Sequence, residues 1–256
     1  MKIGYYLLAG VFMTLSPKSA RADEITFQNG TEGYEGTRDV SLRGEPDTLR
    51  LNNYGGAPVL EVEGVPSDGI RRMSLIRFDD IVGTAPHQIP PGSKINSATL
   101  ELYRVGSPEN SGQYEAEPSW AKVISVYPML VSYKTGDGIE GTPIEGAVSF
   151  SQRAFGGEFP VYWGNQRQLE DGPVADVDYD KARVVAAPYR ADENDMWMTW
   201  NISEAVRQWV DNPESNHGLY MVAHGSWIGV QLASSESDSA ELRPKLVIDF
   251  TPPSKR

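Results

Sequence analysis

Apolar and polar positions alternate along this chain in short runs, separated by clusters of Gly, Pro, Asn and Asp. Ala98, Leu100 and Leu102 alternate with Thr99, Glu101 and Tyr103, which predicts a strand buried on one face. Leu246, Ile248 and Phe250 alternate in the same way with Val247, Asp249 and Thr251. Further strands are predicted at 25–28, 58–62, 72–78, 123–129, 148–152, 218–222 and 228–233. Pro90-Pro91-Gly92 and Asn110-Ser111-Gly112 mark turns. Many short strands between turn signals predict an all-β domain, a β-sandwich of two antiparallel sheets whose inner faces share one core.

One segment has a different period. Ala205, Val206, Trp209 and Val210 fall on one face of a short helix, with Ser203 placed to cap it and Pro213 to stop it. A helix of about two turns is marginal alone, so it is expected to plug an open end of the sandwich with Trp209 in the core. Met196, Met198 and Trp200 alternate inward, leaving Trp197 outward. Residues 134–190 are the least regular part, rich in Gly, Pro and acids. A connection of that length should be functional or partly structured.

The N-terminus reads as an export signal. Lys2 precedes an apolar run from Ile3 to Leu15, and Ala20-Arg21-Ala22 puts small residues at −3 and −1 before Asp23. The run is shorter than a membrane span requires and is followed at once by Pro17 and Lys18. Residues 1–22 are therefore expected to be a cleaved signal and 23–256 a single domain, secreted to the periplasm or the extracellular space. The chain has no Cys, so neither a disulfide framework nor a lipid-bearing cysteine is available. That composition points to a bacterial envelope or extracellular setting.

Charge narrows the partners. The chain has 23 Lys+Arg against 35 Asp+Glu, a net charge of −12. Lys2, Lys18 and Arg21 leave with the signal, so the mature charge is −15. Nucleic acid and anionic membrane surfaces, which select clustered Lys and Arg, are excluded as partners on this ground.

Four segments resemble the DNRLRE domain, a secreted β-sandwich module similar to carbohydrate-binding module family 96. They are Thr26-Phe27-Gln28-Asn29-Gly30 with Gly33-Tyr34-Glu35-Gly36-Thr37-Arg38-Asp39; Ser74-Leu75-Ile76-Arg77-Phe78-Asp79 with Ile89-Pro90-Pro91-Gly92-Ser93-Lys94-Ile95-Asn96-Ser97-Ala98-Thr99-Leu100; Trp200-Asn201-Ile202-Ser203-Glu204-Ala205-Val206 running on to Asn216-His217-Gly218; and Ala233-Ser234-Ser235-Glu236 with Arg243-Pro244-Lys245-Leu246. In the third, Asn201-Ile202-Ser203 stands where the family has Asp-Val-Thr. The resemblance implies a jelly-roll sandwich that accompanies polysaccharide-active enzymes, some members being similar to alginate-binding modules. It does not name a binding site.

Enzyme signatures are missing. There is no Cys nucleophile, no His-Glu-x-x-His and no Gly-x-Ser-x-Gly, and the histidines are His87, His217 and His224. Flat aromatic faces are what a sugar site needs, and Trp120, Tyr162, Trp163, Trp197 and Trp227 are the candidate platforms. Asp176, Asp178 and Asp180 alternate beside Glu170 and Asp171 and offer oxygen ligands for a structural calcium. The spacing departs from an EF-hand, with Lys181 where Gly is required and Ala187 where the bidentate Glu belongs. Glu24 and Asp249, on the first and last strands, are a second candidate pair. The leading expectation is a non-catalytic polysaccharide-binding module. The alternatives are a structural or adhesive envelope protein, and a polysaccharide-degrading enzyme with unrecognised carboxylates.

Overall fold

The computed structural model describes residues 22–44, 47–64, 71–106, 123–139, 141–158, 160–165, 172–188, 195–224 and 228–254. The expected signal segment falls outside these, apart from Ala22. The turn at Asn110-Ser111-Gly112 lies outside them as well.

The fold is all-β with one α-helix among the described residues. The strands are β1 (Asp23–Phe27), β2 (Thr37–Arg43), β3 (Val59–Gly64), β4 (Arg71–Phe78), β5 (Lys94–Gly106), β6 (Val123–Pro128), β7 (Gln152–Ala154), β8 (Val161–Tyr162), β9 (Val185–Pro188), β10 (Met196–Asn201), β11 (Leu219–His224), β12 (Ile228–Ala233) and β13 (Lys245–Thr251). Eleven of them form one curled antiparallel sheet in the order β1-β13-β5-β12-β3-β4-β11-β6-β9, with β10 on the other edge of β5 and β2 on the other edge of β4. The two layers expected from the alternation are thus hydrogen-bonded into one surface. The sheet curls until β9 and β10 lie with Cα atoms within 8 Å of each other.

Strand β5 is the spine. Ala98, Leu100 and Leu102 are fully buried while their neighbours are not. Ile95 is also buried, although it is out of phase with Ala98. A register shift explains this: Ser97 pairs with Asp249 but Ile95 pairs with Phe250, leaving Asn96 as an extra residue. Such a bulge turns the strand by one side-chain position, and Asn96 Nδ2 donates to Asp249 Oδ1 at 2.7 Å across it.

The first core fills the inside of the curl. It contains Phe27, Leu60, Val62, Leu100, Leu102, Ile124, Val126, Trp200, Val230, Leu232, Leu246 and Ile248. Helix α1 (Ser203–Asp211) packs on β5 and adds Ala205, Val206, Trp209 and Val210 to this core. Its capping differs from expectation. Ser203 lies inside the helix, and its hydroxyl accepts the Ala98 N–H at 2.8 Å and donates to Asn201 Oδ1 at 2.6 Å. Asn201 Oδ1 in turn accepts the Ser203 N–H at 3.1 Å, so Asn201 satisfies the helix entry. The helix ends at Asp211, and Pro213 opens a 3-10 turn.

A second core lies on the outer face of β2, β4, β11 and β6. It holds Val40, Leu42, Met73, Leu75, Tyr127, Tyr133, Val148, Phe150, Trp163 and Tyr220. Adjacent residues of these strands therefore face opposite cores: Leu75 and Ile76, Val126 and Tyr127, Tyr220 and Met221. A strand covered on both faces reads as a continuous apolar run, as 219–223 does. The cover is the irregular stretch after β6. The strand predicted at 148–152 forms only at Gln152–Ala154, paired with β8, while Val148 and Phe150 sit in a buried turn ahead of it.

Candidate partner-binding groove

Where β9 returns beside β10, the two strand edges leave a groove of about 120 Å³ between β6 and β9 on one side and the start of α1 on the other. Its apolar wall is built by Val126, Pro128, Val184, Val185, Ile202 and Leu219. The run Val184-Val185-Ala186-Ala187, ended by Pro188, produces this wall. Val185 to Pro188 pair with β6, and Val184, one residue before the strand, remains 47% exposed at the rim. The preceding 3-10 turn is fixed by Asp180, whose Oδ1 accepts the Ala182 N–H at 3.0 Å. Arg183 spans the mouth: its Nε lies 3.2 Å from Asp180 and 3.6 Å from Glu204 of α1, and its guanidinium also donates to Gln208. These ion pairs are exposed, so they position the rim more than they stabilise the fold.

Leu130 and Val177 are 44% and 39% exposed, and the Leu130 N–H donates to the Asp178 carbonyl at 2.8 Å, which sets the two segments side by side.

Three wider clefts gather around residues 79–88, with volumes of about 340, 350 and 440 Å³. Charged groups line the first of them, Glu32, Asp79, Asp80 and His87 among others. His87 Nδ1 meets Glu32 at 2.9 Å, and Arg77 holds Asp79 through two contacts of 2.5 and 3.2 Å. The Tyr34 hydroxyl donates to the Asp79 carbonyl at 2.9 Å; burial, then the Asp79 charge, pushes its pKa up. At the far end of β11, His224 Nε2 lies 2.9 Å from the Tyr127 hydroxyl, and burial lowers its pKa. Burial likewise lowers that of His217.

Three of the aromatic candidates lie among the described residues. Trp163 is fully buried in the second core, and its indole donates to the Ser149 carbonyl at 3.1 Å. It is a core residue, because both faces and the N–H are occupied. Tyr162 is half-buried in the small β7–β8 sheet. Trp197 is half-buried on β10, with Tyr103 edge-on at 5.3 Å and Lys245 Nζ 3.8 Å above its ring, so a lysine already covers one face. Trp120 and Trp227 lie outside the described residues.

The acidic candidates do not form one group. Asp178 is fully buried, and its Oδ2 accepts the N–H groups of Gly164 and Val174 at 2.6 and 2.9 Å. Asp180 caps a turn, and Asp176 has φ 59° with Oδ1 reaching the Lys181 N–H at 3.4 Å. Glu24 and Asp249 are register partners on β1 and β13, and Asp249 is taken by Asn96. Among the described residues no group of three or more His, Asp or Glu is gathered to hold a metal.

The geometry is thus an all-β shell with a groove beside β9 and, among the described residues, no group of three or more His, Asp or Glu gathered for a metal. One family model matches: the TGF-beta propeptide, over residues 174–247. That span takes in β9, β10, α1, β11 and β12, the start of β13, and every groove-lining residue except Val126 and Pro128. No curated protein matches the chain.

This match overturns the DNRLRE resemblance. Its third and fourth segments lie wholly inside the span now matched by a different family. They encode the entry to α1 and the approach to β13, features of packing that name no ligand. The match points instead to a propeptide, against the expectations of a polysaccharide-binding module, an adhesive envelope protein or a polysaccharide-degrading enzyme, and it gives no support to the bacterial setting. The TGF-beta propeptide family is non-catalytic, in keeping with the missing enzyme motifs. Propeptides of this family are secreted, and no helix among the described residues is long and apolar enough to cross a membrane.

The groove itself was not anticipated from the sequence. Its signal is the run at 184–187, which lies inside the stretch set apart as least regular.

Proposed function

We propose that this protein is a secreted propeptide-like carrier that holds a protein partner of the growth-factor type. The match over residues 174–247 carries the reading, and the apolar groove within that span supplies the contact surface. The net charge of −12, or −15 without the signal, favours a basic partner, since complementary potentials speed encounter and select orientation. Residues 1–22 are removed on export, with cleavage after Ala22, leaving one domain from Asp23 to Arg256. The intact mass of the exported protein reads that boundary directly.

Binding is tested by surface plasmon resonance of the exported protein against a panel of dimeric growth factors of the TGF-β class. Saturable binding to at least one member is expected. Val184→Glu should weaken it tenfold or more while leaving the melting temperature unchanged, because Val184 is exposed. A panel without any binding, or binding indifferent to Val184→Glu, sinks the reading or its groove respectively.

A further inference from the structure

Two tripeptides of the chain, Asn29-Gly30-Thr31 and Asn201-Ile202-Ser203, fit the Asn-x-Ser/Thr acceptor pattern for an N-linked glycan, with x other than Pro. The fold gives them opposite surroundings. Asn29 is 4% exposed and lies in a turn where the Gly30 N–H donates to the Tyr34 carbonyl at 3.0 Å. Both ends of its amide are in use: Nδ2 donates to the Thr37 carbonyl at 3.3 Å, and Oδ1 accepts the Thr37 N–H at 2.8 Å. The Arg243 guanidinium reaches the Asn29 carbonyl at 3.4 Å and covers the same turn. A sugar on Nδ2 there would have to displace this packing.

Asn201 is exposed at the end of β10, in register with Thr99 of β5. Its Oδ1 accepts the Ser203 N–H at 3.1 Å and the Ser203 hydroxyl at 2.6 Å, and its Nδ2 makes no hydrogen bond among the described residues. The amide is thus divided: the oxygen holds the helix entry and the nitrogen is open to substitution. An N-linked sugar replaces one hydrogen of Nδ2 and leaves Oδ1 an acceptor, so both bonds to Ser203 survive the change.

We propose that Asn201 carries an N-linked glycan in the exported protein and that Asn29 does not. The donor is an oligosaccharide joined through C1 to a lipid diphosphate. In the transfer Nδ2 forms a bond to C1, the C1–O bond to the diphosphate breaks, the lipid diphosphate leaves, and the proton lost from Nδ2 passes to a base of the transferase. Ser203 is 7% exposed in the folded protein, so the transfer belongs to the unfolded chain and the fold acts afterwards as a filter. A chain modified at Asn29 cannot close its turn, whereas one modified at Asn201 folds with its sugar on the surface, where such a bulky polar group belongs. Asn201 also lines the groove, but the assignment needs only export and an acceptor amide, so it stands or falls apart from partner binding.

Peptide mass spectrometry of the full-length chain, secreted with its own signal from a eukaryotic host, tests the assignment. Enzymatic release of an N-linked sugar leaves aspartate at each modified asparagine. Aspartate at position 201 and asparagine at position 29 are expected, with the intact mass falling by a single glycan on release. The Asn201→Asp variant, whose carboxylate still accepts from Ser203, should be secreted without sugar. Asparagine retained at position 201 overturns the site, and aspartate at position 29 in the secreted protein overturns the filter. Sugar persisting in Asn201→Asp overturns both. Should that variant fail to be secreted, the peptide map of the native chain decides alone.

Discussion

The two cores of this protein are built on opposite faces of the same strands, yet they are held together by different means. The inner core is made by alternation: every second residue of β3, β12 and β13 faces one interior, as do Ala98, Leu100 and Leu102 of β5. The outer core is made by irregular chain folded over β2, β4, β6 and β11, where few ladder bonds exist to satisfy the backbone. Buried backbone groups need partners wherever they lie, so side chains take over. Asn53 is the main one. It is 1% exposed, its Nδ2 donates to the carbonyls of Thr135 and Val148 at 2.6 and 2.8 Å, and its Oδ1 accepts from Gly55 and Gly138 at 3.2 and 3.0 Å. Gly136, at φ 73°, passes so close that a Cβ there would stand 2.5 Å from Asn53 Oδ1. Asp178 does the same for Gly164 and Val174. Distributed packing should therefore fail globally, and a layer tied by a few residues should fail locally.

The largest effect is expected in the inner core. Trp200 is 1% exposed and its indole donates to the Ile124 carbonyl at 2.9 Å, linking β10 to β6 across the curl. Trp200→Ala should cost about 3–5 kcal/mol, from lost burial and the cavity left behind. Chemical denaturation should show one cooperative transition at lower denaturant. Loss of protection confined to residues near β10 would contradict a distributed core.

Next in size is Asn53→Ala, expected to cost about 3 kcal/mol because it strands buried backbone groups in three segments. Limited proteolysis should open the chain within 134–158 while the far-ultraviolet spectrum of the sheet persists. If the whole fold melts in one step with unchanged proteolysis sites, the outer layer is not a separate unit.

This contrast also explains what could be read from the chain. Period-two alternation announced β5 and β13, and an amphipathic period announced α1, because in both the burial of a side chain depends on its position along one element. Ser203 is a capping type by sequence but lies inside the helix with its hydroxyl bonded to the Ala98 N–H of β5, while Asn201 Oδ1 accepts the Ser203 N–H. Strand β2 was missed because both of its faces are covered: Val40 and Leu42 enter the outer core while Asp39 and Ser41 face inward with polar partners. The outer layer carries no period at all. Its order depends on which carbonyl Asn53 meets some eighty or ninety residues later, a pairing invisible until the chain has folded. Trp163 illustrates the consequence for the site. Its neighbours read as loop, which suggested an exposed ring, yet loop chain buries it completely. The groove has the same origin, since strand β9 is short and its apolar run is half wall and half rim.

The finest comparison sets one substitution against itself in both cores. Trp163 and Trp200 are each buried, and each spends its indole N–H on a backbone carbonyl, Ser149 at 3.1 Å and Ile124 at 2.9 Å. Phe in either place keeps an aromatic ring, loses that bond and leaves a carbonyl buried without its donor. The expected cost is about 2 kcal/mol at both positions, from the stranded acceptor and the smaller ring. The cost should be spent differently. In Trp200→Phe the Ile124 carbonyl belongs to β6, which is hydrogen-bonded to β11 and β9, so protection should fall across those strands together. In Trp163→Phe the Ser149 carbonyl belongs to a turn closed by the Gln152 N–H on the Ser149 hydroxyl at 3.1 Å. Protection should fall at 147–154 and leave the sheet amides unchanged. Hydrogen exchange on the two variants distinguishes the cases, and matching exchange patterns would show that the two cores unfold as one.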